Sequence, residues 1–208
     1  MLGRDRYPGE LAGWSPVHAE LARELTTTLG RAQWRFALTD EHGRLTHSGT
    51  TSARPTGSVI RSADCRAIVE LQIPTEQLRA LATDPTMLGD WTEVITDLTR
   101  QLDNHTHDEH ISRTDTTHRA PGAALRRELE IRDRYCTMID CRVPARTTDK
   151  DHTLDHAKHG PTTGDNLGSA CRHDHRLKHE GGWALHQLHP GHFRWENRPG
   201  WLSLTVNR

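Results

Sequence analysis

Apolar residues are scarce in this chain. They make up 33% of its 208 residues, and aromatic residues make up only 5%. A composition this polar leaves little material for a hydrophobic core, so we expect the fold to depend on something besides burial. No apolar run approaches the roughly 20 residues that a membrane-spanning helix needs. The sequence therefore predicts no membrane partner.

A secretion signal and a disulfide framework are also missing. Residues 1–10 are charged and are interrupted by Pro8 and Gly9, so we predict a cytoplasmic protein. In a reducing compartment cysteines serve as metal ligands or as small buried side chains more often than as disulfides. The chain has four of them: Cys65, Cys136, Cys141 and Cys171. Cys65 stands apart from the others, and we expect it to be a small buried hydrophobe.

A strong net charge is absent as well, since the formal value is −1. The charge is nevertheless unevenly distributed. Residues 1–118 contain 12 Lys and Arg against 17 Asp and Glu, net −5, whereas residues 119–208 contain 15 against 11, net +4. Nine of the 16 histidines follow residue 118. A basic C-terminal part fits a module that faces phosphate groups, with a separate acidic region attached.

The stretch HTHDEHISRTDTTHRA, residues 105–120, has almost nothing to bury and divides the chain. We predict a mixed helix and strand region of unknown function over 1–104, a polar linker over 105–120 and a second domain over 121–208. Hydrophobic periodicity and turn residues predict these elements before the linker: a helix at 17–29, a hairpin of strands 34–39 and 45–48, a strand at 67–73, and helices at 75–82 and 87–102. After the linker they predict a helix at 123–135 and a hairpin of strands 183–188 and 192–195.

Residues capable of metal binding and acid-base chemistry are concentrated between residues 136 and 179. Four groups follow one another there: Cys136-x4-Cys141; Asp151-His152; Gly160-Pro161-Thr162 with Asn166-Leu167; and Cys171-Arg-His-Asp-His175 with Lys178-His179. Hydrolysis of a phosphodiester needs an activated water and a positive charge beside the leaving oxygen. A neutral imidazole can supply the first and a divalent ion the second.

This order and spacing resemble the HNH endonuclease family. The resemblance extends to the actinobacterial HNH proteins in which a helical N-terminal region of unknown function leads into an RD-x-x-C start, here residues 132–136. It is strong over about 121–186 and faint over 10–105. It implies an α+β chain with a ββα-metal (HNH) domain and a zinc knuckle at the C-terminal end, preceded by a mixed α/β region.

The resemblance also implies roles for individual residues in the catalytic site. Asp151 and His175 would bind the catalytic ion, His152 would be the general base, and Asn166 would hold the loop that orients His152. His179 lies four residues after His175, on the same helical face, and could be a third ligand. A carboxylate and water suit a hard cation such as Mg²⁺, whereas the two histidines also admit Mn²⁺ or another divalent ion.

The cysteines have a different predicted task. Cys136, Cys141 and Cys171 can bind a structural Zn²⁺ that compensates for the thin core. Many relatives have Cys or His three residues after the last cysteine, whereas this chain has Asp174. Because i+3 faces the same way as i on a helix, we favour Asp174 as the fourth ligand, with His173 as the alternative if Cys171 precedes the helix.

The resemblance implies a metal-dependent endonuclease that hydrolyses DNA and leaves 3′-hydroxyl and 5′-phosphate ends, as the family does. Arg172, Arg176 and Lys178 are candidate phosphate contacts, and the alternative for them is a solvated helix surface. One alternative function is a non-catalytic, zinc-dependent module that binds nucleic acid. Another is a truncated remnant of a mobile element, because the opening MLGRDRYPGEL begins in the middle of a pattern.

Overall fold

The computed structural model describes residues 7–12, 15–58, 67–105, 118–197 and 203–207, with backbone alone for the last range. The chain divides into two compact units, Met1–His110 (unit 1) and Ile111–Arg208 (unit 2). This division falls inside the range 105–120. Because residues 106–117 lie outside the described residues, the linker stays a prediction, and so does the burial of Cys65.

Unit 1 combines helices with short strands. Its elements are β1 (Gly9–Glu10), β2 (Pro16–Val17), α1 (Ala19–Thr28), β3 (Gln33–Thr39), β4 (Leu45–Thr51), β5 (Ile68–Pro74), α2 (Thr75–Thr83) and α3 (Thr92–His105). β3 lies in the middle of a three-stranded sheet, antiparallel to β4 and parallel to β5. The β3–β4 hairpin turns at residues 40–43, where Gly43 has a φ of +78° that favours glycine.

One apolar core supports unit 1. The core is formed by alternate residues of the sheet and by one side of the helices. It includes the almost completely buried side chains of Trp34, Leu38, Leu71 and Leu98. The predicted helix at 87–102 instead begins at Thr92, since two 3₁₀ turns precede it at Pro85–Met87 and Gly89–Trp91. Apart from that start, the ends of the predicted helices and strands of this region are confirmed within three residues.

Unit 2 is built around two small antiparallel sheets. Its elements are α4 (Ala123–Asp133), β6 (Asp149–His152), β7 (Leu167–Ala170), α5 (Arg172–His179), β8 (Trp183–His189), β9 (His192–Asn197) and β10 (Ser203–Asn207). β6 pairs with β7, and β9 lies between β8 and β10. The predicted α+β class is confirmed, as is the closing hairpin. The predicted helix at 123–135 ends at Asp133 because Arg134 turns to a φ of +58°.

A buried ion pair ties α4 to β7. Arg132 donates to Asp133 Oδ1 at 2.6 Å and to the carbonyl of Leu167 at 2.8 Å, while Asp133 Oδ2 accepts from the Ser169 amide at 2.9 Å. The Arg132 guanidinium also lies 5.3 Å from the ring centre of Phe193. The adjacent Arg and Asp of the sequence motif therefore fix the sheet that carries Asp151 and His152. None of the helices in the described part of the chain has both the length and the apolar character of a membrane span.

Candidate metal and catalytic site

Helix α5 presents two sets of side chains on different faces. It follows β7 directly, with Cys171 as its N-cap residue. Cys171 and Asp174 are three residues apart and share one face, whereas His175, Lys178 and His179 share another. The structure thus places Cys171 before the first helical residue.

The first set meets two cysteines from the loop after α4. Cys136, Cys141, Cys171 and Asp174 each offer one ligand atom, and these atoms lie within 4.8 Å of one another. Asp174 Oδ2 lies 3.1 Å from the sulfur atoms of Cys136 and Cys171, and the sulfur atoms of Cys141 and Cys171 are 4.0 Å apart. Ligands about 2.3 Å from a tetrahedral ion lie about 3.8 Å apart, so this cluster could hold a metal ion.

A tight loop brings Cys136 and Cys141 together. The amide of Cys136 donates to the carbonyl of Val143 at 2.8 Å, and that of Cys141 donates to the carbonyl of Met138 at 3.2 Å. Asp140, just before Cys141, has a φ of +59°, which closes the turn. The amide of Cys171 donates to the Cys136 sulfur at 3.3 Å, so the loop and the helix start are joined by backbone as well.

The electrostatics of this cluster are those of buried thiols beside a carboxylate. Burial raises the pKa of the Cys136 thiol and that of the Cys171 thiol. Burial also opposes ionisation of Asp174, but hydrogen bonds from His173, Cys171 and Cys136 outweigh it and hold the pKa of this carboxyl below its ordinary value. Negative charge on the two thiols therefore needs a nearby cation, and a metal ion is one that thiolates accept.

Asp174, and not His173, lies beside the sulfur atoms. The His173 side chain is 83% exposed, and its Nδ1 is 2.7 Å from Asp174 Oδ1. His173 was the alternative ligand if Cys171 preceded the helix, and Cys171 does precede it. The i+3 spacing nevertheless brings Asp174, and not His173, to the cluster. His173 supports Asp174 from outside.

The second set on α5 faces Asp151 of β6. His175 Nε2 and His179 Nε2 lie 3.5 and 3.4 Å from Asp151 Oδ1, and the three residues form a second group that could hold a metal ion. Two ligands about 2.1 Å from an ion lie about 3.4 Å apart at a tetrahedral angle and about 3.0 Å apart at a right angle. The observed spacing therefore fits one shared ion after little movement.

Two further side chains fix this group. Lys178 Nζ lies 2.8 Å from Asp151 Oδ2 and donates to the carbonyl of His152, and its side chain is only 7% exposed. Asp149 Oδ2 is 3.0 Å from His175 Nδ1. Such a bond keeps the proton of neutral His175 on Nδ1 and leaves Nε2 free to face Asp151.

His152 is the last residue of β6 and is buried. Its Nε2 lies 3.0 Å from Thr162 Oγ1, and its ring centre is 5.5 Å from that of His156. Burial, together with His156, lowers the pKa of His152, while Asp151 opposes the shift. An imidazole that is neutral near pH 7 can accept a proton, as a general base must.

The side-chain amide of Asn166 holds the loop after His152, and both its oxygen and its nitrogen form hydrogen bonds. Its Oδ1 accepts from Thr153 Oγ1 at 2.7 Å and from the amide of Leu154 at 2.8 Å, and its Nδ2 donates to the carbonyls of Leu154 and Pro161 at 3.0 and 2.8 Å. At Gly160 a Cβ atom would lie 1.8 Å from the Leu154 carbonyl oxygen, so only glycine fits there. The loop therefore has one defined path from His152 to Thr162.

The predicted phosphate contacts on α5 have different surroundings. Arg172 is exposed, 3.7 Å from Asp149, and Arg176 pairs with Glu180 at 2.9 Å on the surface. For both arginines, contact with phosphate stays a prediction. Lys178 has its partners inside the protein, and its predicted contact with nucleic acid is equally untested.

Sequence reasoning assigned no role to Asp149, and it gave Thr162 none although it noted the Gly160-Pro161-Thr162 motif. A signal for Asp149 was present, because residues two apart on a strand share a face and Asp149 is two before Asp151.

Comparison of the chain with models of known families, with curated proteins and with solved structures gave no match. The assignment of function therefore rests on the geometry and on the motif.

Proposed function

We propose that unit 2 is a metal-dependent endonuclease domain of the HNH type, which hydrolyses DNA phosphodiester bonds to 3′-hydroxyl and 5′-phosphate ends. β6, β7 and α5 follow one another as strand, strand and helix, the order of a ββα-metal domain. The observation that carries the proposal is the pairing of Asp151, His175 and His179 with the adjacent, buried His152.

Each side chain has a task in this reaction. A divalent ion, Mg²⁺ or Mn²⁺, held by Asp151, His175 and His179 would stabilise negative charge on the leaving oxygen. His152 takes a proton from the attacking water, and Asn166 holds the loop beside it. Asp149 and Lys178 keep His175 and Asp151 in place. Asp149 and Lys178 thus position the metal ligands and do not touch the reacting atoms.

The cysteine cluster has a structural task in the same proposal. Three thiolates and a carboxylate form a closed tetrahedral set that suits Zn²⁺, without an open position for substrate. This knuckle joins the loop after α4 to the start of α5. It compensates for the small apolar clusters of unit 2 by adding metal-binding free energy to folding.

DNA is the proposed partner because the basic half of the chain contains the site. Residues 119–208 carry 15 Lys and Arg against 11 Asp and Glu. Arg172 and Arg176 extend from α5 near the candidate ion-binding residues. Such contacts reach phosphates and carry no base sequence information, so we propose no sequence specificity.

Lys178 favours a second candidate function. Its ammonium group already neutralises Asp151, so the second group of residues has a cation without a metal ion. Under this reading unit 2 is a non-catalytic, zinc-dependent module that binds nucleic acid. The two candidates differ in whether the protein cleaves DNA.

Nicking of supercoiled plasmid DNA by the full chain tests the proposal, with Mg²⁺, with Mn²⁺ and with EDTA. The parent protein should nick with either ion and stop in EDTA. His152→Ala should retain folding, zinc and DNA affinity while cleavage falls roughly 10²- to 10⁴-fold, the usual contribution of a general base. Asp151→Asn and His175→Ala should lose cleavage through weaker ion binding, and excess Mn²⁺ should restore part of it.

Two other histidines, His186 and His156, provide the controls. His186→Ala changes a half-exposed residue of β8 and should cleave like the parent. If His152→Ala cleaves normally and His156→Ala does not, His156 is the base. If the folded parent protein binds DNA and never cleaves it with either ion, the binding module is the correct function.

A further inference from the structure

A short chain of hydrogen bonds leads away from the buried ring of His152. His152 Nε2 lies 3.0 Å from Thr162 Oγ1, and Thr162 Oγ1 donates to the carbonyl oxygen of His118 at 2.7 Å. Thr162 is fully buried, and His118 lies in the segment before α4. Ten residues separate Thr162 from His152 along the chain, and 44 separate it from His118.

The direction of these bonds follows from their chemistry. A carbonyl oxygen can only accept, so the single hydroxyl hydrogen of Thr162 is given to His118. Thr162 Oγ1 is then the acceptor for the imidazole, which means that Nε2 of His152 carries a hydrogen. If the hydroxyl turned towards Nε2 instead, two oxygens would face each other at 2.7 Å without a hydrogen between them. Neutral His152 therefore has its lone pair on Nδ1.

We infer that Thr162 and the His118 carbonyl form a positioning pair that fixes His152 as its Nε2–H tautomer and makes Nδ1 the proton-accepting atom. The catalytic consequence rests on the proposed function, whereas the tautomer itself does not. Thr162 acts through His152 and is a positioning residue. The backbone carbonyl of His118 thereby becomes part of the site.

The surrounding loop gives Thr162 little freedom. Asn166 Nδ2 holds the carbonyl of Pro161, the residue just before Thr162, and Gly160 packs tightly against the Leu154 carbonyl. With the two residues before it held in place, Thr162 offers one hydroxyl at one place. A residue without a hydroxyl leaves both His152 Nε2 and the His118 carbonyl without this partner.

Imidazole nitrogen NMR on the full chain tests the tautomer directly. Spectra of ¹⁵N-histidine protein are recorded at about pH 8, where an ordinary imidazole is neutral, and the His152 signals are those lost in His152→Ala. The parent and Thr162→Ser should show protonated Nε2 and unprotonated Nδ1. Thr162→Val, which has nearly the same shape, should show a mixture of the two tautomers. A parent His152 protonated on Nδ1 overturns the inference, whether or not the Thr162 variants fold.

Cleavage kinetics provide the second readout. Thr162→Val should lower kcat on the order of 10-fold or more with KM nearly unchanged, because part of the general-base contribution is lost, and Thr162→Ser should restore most of it. A Val variant with the parent tautomer and the parent rate overturns the inference. If the tautomer shifts as expected while the parent itself never cleaves DNA, the positioning pair stands and the proposed function fails.

Discussion

Unit 1 and unit 2 bury different kinds of side chain. Among the described residues, 13 apolar side chains form one core cluster in unit 1, whereas unit 2 has two clusters of three. The buried polar residues show the reverse: of those described, Arg35 and Thr51 belong to unit 1 and the other eleven belong to unit 2. Burial can stabilise the first unit, and the second needs specific bonds.

In unit 2, residues of the candidate site are therefore among the buried polar residues whose bonds stabilise the fold. A buried polar group is favourable only when each partner is present, so a single lost partner costs more there than at a surface. An apolar core tolerates exchange between residues of similar size. The three predictions below test this difference, from the largest expected effect to the smallest.

Removal of the cysteine-bound metal should have the largest effect. Structural zinc contributes on the order of 10 kcal/mol to the folding of small domains, so a strong chelator or Cys136→Ser should unfold unit 2. Hydrogen exchange followed by mass spectrometry should show loss of protection over 123–197 and little change over 19–105. Elemental analysis should find about one zinc per chain in the parent.

His173 supplies the matched control for this experiment. Asp174→Ala should weaken zinc retention more than His173→Ala, because Asp174 is buried beside the sulfur atoms and His173 is exposed. A protein that stays fully protected and active without zinc contradicts the structural role of the cysteines.

Breaking the buried pair of α4 should have an intermediate effect. Asp133→Ala leaves the Arg132 guanidinium buried without its carboxylate, which typically costs about 3–5 kcal/mol. Thermal or urea unfolding of unit 2 should show a loss of this size. The double variant Arg132→Met with Asp133→Ala should recover part of it, since no unpaired charge remains; a double variant less stable than the single one would indicate that the pair itself is the main stabilising contact.

A polar group of unit 1 should have the smallest effect. Asp97 accepts from Thr51 Oγ1 at 2.7 Å and from Gln101 Nε2 at 2.8 Å, and it also pairs with Arg100. Burial opposes its ionisation, but these donors hold the pKa of Asp97 below its ordinary value. Asp97→Asn should therefore cost about 1–3 kcal/mol at neutral pH.

The pH dependence of this loss has a defined sign. Because the folded pKa is the lower one, the contribution of Asp97 is fully present above the unfolded pKa of about 3.9 and disappears as pH falls through the folded value. Urea unfolding of the parent and of Asp97→Asn should thus converge as the pH falls through the folded pKa of Asp97. The exposed Asp90→Asn is the control, with little change at any pH. A difference that persists at low pH would mean that the loss is steric.

Local patterns in the sequence predicted much of this structure. Gly43 after Asp40 marked the β3–β4 hairpin, and the spacing of Cys171, Asp174, His175 and His179 predicted which side chains of α5 lie together. These features depend on residues a few positions apart. The parallel pairing of β3 with β5 and the bond from Thr162 to His118 join distant segments, and no short-range period encodes them.

Lys178 illustrates a second limit of sequence reasoning. The sequence suggested a phosphate contact or a solvated helix surface for Lys178, yet its amine lies between Asp151 and the His152 carbonyl. A long side chain can follow the protein surface inward to a carboxylate, and only the position of β6 beside α5 decides this. Contacts of this kind require the three-dimensional fold.

The eight residues of α5 contain ligands of both candidate metal sites. The rotation of this one helix about its axis therefore sets the direction in which both ligand sets point. Each residue turns an α-helix by about 100°. Inserting or deleting one residue between Asp174 and His175 would leave one ligand set facing its partners and turn the other away from them. A helix this short is also marginal alone, so contacts at one end help to order the other. Over this segment the spacing of the residues is constrained as strongly as their chemical identity.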